Sequence, residues 1–401
     1  MSQPNTTPVL RAIRARDPHE SGRVATTLEL FFDLTFVVAI AAVGVQLHHG
    51  LAEGHLGDAL GFAMTFTVIW WAWMNYSWYA SAYDNDDVVF RLLTFVIMVG
   101  VLVMAAGIPD MFDDSQSVIA VAGYVIMRVG MVGLWLRAAK GDPQRRATCL
   151  TYATGISVLQ VLWIARLWIH DEAWFGPTFV ILMGLELLVP VLAERRGRTP
   201  FHPHHMAERY ALLTIIVLGE QVLSVTGAVQ GAIGAGAEGA GWTSDLACLI
   251  GGGLLIVFSV WWWYFRWDHG DLMSQPTKQW VLGYGHLLIF GALAAVGSAI
   301  AAGVDVTQGQ GHGTPRLVSM ALAIYLAVFT LTLAVLRHPL EGNRRTFILS
   351  VLLSVLYFVA AYFASSVGIA ALVIGLLLAA GVAFHVITEQ PDRAVDADSP
   401  A

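Results

Sequence analysis

The sequence predicts an all-α polytopic membrane protein with about twelve transmembrane helices. Three observations predict it. The composition is 57% hydrophobic and only 13% charged, against about 25% charged in soluble domains, so most of the surface faces lipid. Apolar runs close to the roughly 20 residues that span a bilayer core follow one another along the chain. Basic residues alternate between the segments that join those runs. The net charge of −7 adds little, because the two signs occupy different places. Cys149 and Cys248 each sit in an apolar stretch and form neither a disulfide framework nor a metal motif.

Segment 1–25 carries Arg11, Arg14, Arg16 and Arg23 ahead of the first apolar run. That run holds Glu29 and Asp33, is long enough to span, and lacks a small-residue cleavage site. It reads as a retained first helix, not as a signal peptide. Spans are expected near 26–48, 57–81, 90–109, 117–138, 147–169 and 175–193. After a linker at 194–206, rich in Arg and Pro, they resume near 207–228, 244–266, 278–303, 316–337, 345–364 and 367–386. Only the short turn around Ser365 and Ser366 separates the last two. Segment 387–401 is polar and acidic and reads as a disordered tail.

With the N-terminus inside, nineteen of the 22 basic residues fall on cytoplasmic segments; Arg166 and Arg316 lie outside and Arg128 lies within a span. This alternation follows the positive-inside rule, and one missed helix would scramble it. Both termini are therefore expected in the cytoplasm, the chain lying in a bacterial inner membrane. The halves 26–193 and 207–386 echo each other in order. ELFFDLTFVV from Glu29 answers ERYALLTIIV from Glu208, WWAWMNY from Trp70 answers WWWYF from Trp261, and AAGIPD answers AAGVD. A duplicated six-helix unit is expected, its even span number making the repeats parallel.

Charged residues at membrane depth are costly and call for a partner or a task, at about 2.5 to 3.5 kcal/mol each on insertion scales. Arg128 lies near the midplane of span four, in GYVIMRVGMVGLW. Glu220 lies about 20 Å along span seven, in LTIIVLGEQVLSV, and Glu186 lies at similar depth in span six. The cation can pair with either carboxylate. One reading is a structural salt bridge tying spans four, six and seven; the other is a substrate site or proton relay.

Glu29 and Asp33, four residues apart, share one face of span one, where like charges repel and invite a proton, a cation or an arginine. Glu29 and Glu208 also read as first-turn carboxylates favoured by the helix dipole. Asp84, Asp86 and Asp87 form an acidic turn beside Arg91. Asp84 and Asp87 are candidate cation ligands, against the plainer reading of an interfacial turn balanced by Arg91 and Arg266; the metal is not specified. His286, inside span nine, is a core histidine bonded to a carbonyl or a proton-handling group. His48, His49, His55, His202, His204 and His205 lack zinc spacing and read as solvated loop residues. The aromatic runs Trp70–Tyr79 and Trp261–Trp267 read first as interfacial anchors. No phosphate loop, nucleophile elbow or nucleotide fingerprint appears, so neither a cofactor nor a nucleic-acid partner is expected.

ELFFDLTFVVAI from Glu29, WWAWMNYSWYASAYDNDD from Trp70 and ERYALLTIIVLGEQVLSV from Glu208 together resemble the bacterial low temperature requirement protein A (LtrA) family across nearly the whole membrane region. The resemblance implies a polytopic membrane protein linked to growth in the cold. It lends weight to Glu29, Asp33, Asp84, Asp87, Glu208, Arg209 and Glu220 without assigning them roles.

The reading that follows is a proton- or cation-coupled secondary transporter of a small molecule, with the lipid bilayer as its surroundings. Arg128 would hold an anionic group or pair with a carboxylate, Glu220 or Glu186 would titrate, and Glu29 with Asp33 would form a cytoplasmic-side step. The alternatives are a membrane-embedded enzyme acting on a lipid or isoprenoid, and a sensor without turnover.

Overall fold

The computed structural model describes residues 10–113, 117–234, 243–267, 270–275, 278–341 and 344–397. Among these, every regular element is helical. The order is α1 (Thr27–Glu53), α2 (Gly57–Tyr83), α3 (Val88–Ala106), a short α4 (Ile108–Asp113), α5 (Val118–Gly141), α6 (Arg146–Arg166) and α7 (Phe175–Glu194). Then come α8 (Pro203–Gly234), α9 (Ser244–Phe265), a short α10 (Gly270–Met273), α11 (Lys278–Gln308), α12 (Pro315–Glu341), α13 (Arg344–Phe363) and α14 (Val367–Ala397). Eleven of the described helices are long and apolar enough to cross a membrane. α2 is as long, at 27 residues, but its apolar surface is Trp and Tyr where the others carry aliphatic side chains.

Local chemistry sets the helix starts. Thr26 and Glu29 form a capping box: Glu29 N donates to Thr26 Oγ1 at 3.2 Å and Thr26 N donates to Glu29 Oε2 at 2.8 Å. Asp87 caps α3, accepting from Phe90 N at 2.7 Å, and Ser117 and Thr243 cap α5 and α9. Asp86, at φ 47°, makes the left-handed step that turns the chain into α3. α8 begins at Pro203, four residues before the expected span, because proline at a first helical position forfeits only an N–H that would be unbonded anyway. That extension brings His205 into the helix. The expected tail at 387–401 falls partly in α14, which runs to Ala397, and partly on residues 398–401, outside the described residues.

The chain forms two compact units. One comprises Met1–Val43 and Gly61–Leu213, the other Gly44–Leu60 and Thr214–Ala401. The division falls inside α8, whereas the sequence suggested the 194–206 linker. In the first unit α3 packs on α5, α5 on α6 and α6 on α7. A Cβ on Gly123 would fall on the Met104 backbone, so only glycine lets α3 and α5 come this close. The opposite face of α3 carries Leu92, Phe95, Val99 and Leu102, all exposed. Such an apolar stripe is suited to lipid and not to water. In the second unit α9 packs on α14, and α11, α12 and α13 pack in succession.

Candidate functional site

Two buried ionic clusters lie within the first unit. The first is centred on Arg209. Six residues into α8, it is 0% exposed, as are Glu29, Asp33 and His205 around it. Arg209 Nη1 lies 3.0 Å from Glu29 Oε1, and Nη2 donates to Asp33 Oδ1 at 2.5 Å. Trp73 Nε1 donates to the same Asp33 oxygen at 2.7 Å. His205 Nε2 lies 3.2 Å from Glu29 Oε1. Asp33 Oδ2 and His205 Nδ1 have no hydrogen-bond partner among the described residues. The four-residue spacing of Glu29 and Asp33 puts both carboxylates on one helical face, where one arginine answers two acids.

The second cluster is centred on Arg128 and Glu186, both essentially inaccessible. Glu186 Oε2 lies 3.4 Å from Arg128 Nη2 and accepts Trp71 Nε1 at 3.0 Å. Its Oε1 accepts Tyr124 OH at 3.1 Å and Gln160 Nε2 at 3.2 Å. Tyr124 OH in turn accepts from Arg128 Nη2, so the phenol links cation and anion. Arg128 Nε and Nη1 have no hydrogen-bond partner among the described residues. Sequence depth left the arginine's partner open between Glu186 and Glu220, and Glu186 is the one it meets. Glu220, on the part of α8 that belongs to the second unit, is partly exposed.

Helix α2 carries an indole to each cluster. Trp71 and Trp73 are about 200° apart around the axis and about 3 Å apart along it, so one helix presents donors to two acids on different sides. Both rings, with Trp70, are buried, which corrects their reading as interfacial anchors. In the second run Trp263 and Tyr264 of α9 are buried as well, while Trp261 and Trp262 are 48% and 50% exposed.

An acidic turn lies next to the Arg209 cluster. Asp84 faces Arg23 at 3.5 Å and Arg16 at 3.9 Å. Burial, with the charge of Glu29 adding to it, pushes the Asp84 carboxyl up to about 6 despite these arginines. Asp87 meets Arg137 at 2.6 Å and accepts Arg11 N at 2.8 Å. Burial alone would raise Asp87, but Arg137 and the N–H donors outweigh it and hold the carboxyl below its usual range. Asp86 pairs with Arg91 at 2.8 Å. The turn is thus neutralised by arginines, of which Arg91 was expected. Among the described residues no group of three or more His, Cys, Asp or Glu side chains is arranged to hold a metal ion.

The histidines divide differently from the sequence reading. His205 is buried in α8, and His202 Nδ1 accepts its N–H at 3.1 Å. His48 belongs to α1 and meets Asp305 at 2.7 Å, within the second unit. His286 is buried in that unit, with Nδ1 2.7 Å from Leu282 O and Nε2 2.9 Å from Tyr264 OH, the bonds of a core histidine. Glu208 accepts Ala25 N at 3.0 Å and so ties down the segment entering α1. It sits beyond the first turn of α8, so the helix dipole does not account for it.

Above the Arg128 cluster, on the side of the unit away from the α1 N-terminus, a cleft of about 740 Å³ (open mouth included) lies between α2, α5, α6 and α7. Met64, Val68, Met104 and Phe179 supply its apolar wall, Tyr124 reaches into it, and Arg166 lines it.

The family described as bacterial low temperature requirement A protein (LtrA) matches this chain over residues 24–386, which include every residue of both clusters. An uncharacterized protein of Rhizobium meliloti (strain 1021) is 29% identical over 288 residues, and the alignment covers 66% of each chain. The chain thus spans about two thirds of the length of that curated relative.

Proposed function

The chain belongs to the bacterial low temperature requirement A family, and we propose that it is a proton- or cation-coupled secondary transporter of a small molecule. We place it in the bacterial cytoplasmic membrane with both termini inside, on the strength of the basic-residue alternation. The observation that carries the reading is the Arg209 cluster: two carboxylates and a histidine around one arginine, all sealed from solvent within helices long enough to cross a membrane.

Charge counting makes this a proton site. Arg209 balances one carboxylate, and a second uncompensated charge is expensive in a dry interior. The missing charge is one proton. His205 is a poor place for it, because an imidazolium would add a further charge to a dry interior. The neutral ring instead donates from Nε2 to Glu29. Asp33 is the better place, because a proton there removes a buried charge and leaves Arg209 paired with Glu29. Asp84, whose carboxyl titrates at about 6, supplies the step between that proton and the N-terminal side. Glu186 is the corresponding acid at the base of the cleft, and Glu220 a further candidate in the second unit. The echoed sequence blocks support two similar halves. The acidic turn adds nothing to the reading as a lipid enzyme, because its carboxylates are already held by arginines.

Proton flux in sealed proteoliposomes, measured against a panel of candidate metabolites, tests the reading. A substrate-dependent pH change that Asp33→Asn abolishes supports it. Silence across the panel from folded protein would move the assignment to the enzyme or the sensor.

A further inference from the structure

We infer that the cleft of the first unit binds a small amphipathic carboxylate, with its apolar body in the cleft and its anionic head on Arg166. The inference deepens the transporter reading by naming the substrate class, and rests on it for the entry role alone. Arg166 is an exception twice over. It is one of two basic residues that the sequence leaves on the side expected to be external. It is also buried, at 6% exposed, with neutral partners: Nε donates to Thr178 Oγ1 and Nη2 to Phe175 O, each at 3.1 Å. The guanidinium lies 4.0 Å from the Phe175 ring centroid.

Among the described residues Arg166 forms no ion pair, whereas the buried Arg128 and Arg209 each meet a carboxylate. A guanidinium does not give up its proton in a protein, and a buried charge calls for a counter-charge. The ligand's head supplies it. A single cation lines the cleft, which matches a monoanion and not a doubly charged phosphate. The wall beneath, with Met64, Met104 and Met111, is apolar and can reshape around a flexible chain. Tyr124 is part of the same lining, so a seated ligand lies against the ring whose phenol links Arg128 to Glu186.

The test is isothermal titration calorimetry on the full-length chain in a neutral detergent, with octanoate as probe and octanol and octylamine as controls of equal body. Octanoate should bind and the controls should not. Arg166→Gln should weaken octanoate about ten- to hundredfold, the range for a charged hydrogen bond, and Arg166→Lys should recover part of the loss. Met64→Trp fills the cleft without touching the arginine and should abolish binding, which keeps the test decisive if Arg166→Gln fails to fold. Equal binding of octylamine, or an unchanged affinity in Arg166→Gln, would overturn the proposal. So would Arg166-dependent binding of phosphatidylglycerol with none of octanoate, which would make the site a lipid headgroup site. No flux enters the assay, so octanoate bound by a protein that moves no protons would sink the transporter reading and leave this site standing.

Discussion

Removing Arg209 should destabilise the protein far more than removing the carboxyl of Asp33 beside it. Its Nη1 stands 3.0 Å from Glu29 Oε1, and both residues are inaccessible. At that distance and an effective dielectric of about 20, a unit pair is attractive by about 5 kcal/mol. Loss of one partner from a buried pair costs about 3 to 5 kcal/mol, because the other charge remains. Arg209→Gln should therefore lose about 4 kcal/mol. Asp33→Asn should lose within about 1 kcal/mol: the amide oxygen still accepts from Trp73 and Arg209, and the Glu29–Arg209 pair stays balanced. The double change Arg209→Gln with Glu29→Gln should recover a good part of the loss, since glutamine still serves the capping box and no charge is stranded. Equilibrium unfolding of the full chain in mixed detergent micelles reads all three. Equal losses for Arg209→Gln and Asp33→Asn, or a double variant no better than Arg209→Gln alone, would refute the charge-counting argument.

The Arg128 cluster makes a parallel claim. Glu186→Gln strands a buried guanidinium and should cost about 3 kcal/mol or more in the same unfolding assay, with Arg128→Met restoring part of it. Asp84 sets a pH dependence. Its carboxyl is raised from 3.8 to about 6, so its contribution to stability is full below about 4 and lost as pH rises through 6, and Asp84→Asn should remove that slope. In flux, the account needs an ionised Asp84 to accept the proton, so transport should fall as the pH of the N-terminal side drops below about 6, and Asp84→Asn should lose it at every pH. His286→Phe should lower stability by about 1 to 3 kcal/mol through its lost bonds to Tyr264 and Leu282, while flux in the folded fraction stays intact. Lost flux would return His286 to the proton path.

Much of the fold was legible because lipid leaves few options: backbone groups must be satisfied within each helix, and a span has a length. The site was legible in part. Asp33 announced itself as an acid among phenylalanines, and Arg128 and Glu186 as charges in apolar runs. Arg209 drew attention only through the family resemblance and His205 not at all, because a basic residue near the expected cytoplasmic end of a span is what the positive-inside rule already expects, and burial leaves no mark on sequence. The pairing of Arg128 with Glu186 was open because depth along a helix says nothing of direction around it. Trp71 and Trp73 read as anchors because a bonded indole and an interfacial one have the same composition; only the helical angle between residues 71 and 73 sends them to different acids. Arg166 was visible as an exception to the charge alternation, and its neutral surroundings needed the fold.

The central claim is that one proton resides on Asp33 beside Arg209. Infrared difference spectroscopy of the full chain, comparing the native protein with Asp33→Asn at neutral pH, tests it most directly. The account predicts the carbonyl stretch of a buried, protonated carboxylic acid in the native protein and its loss in Asp33→Asn. A spectrum in which every buried carboxyl is ionised, or a protonated band that persists unchanged in the variant, would contradict it.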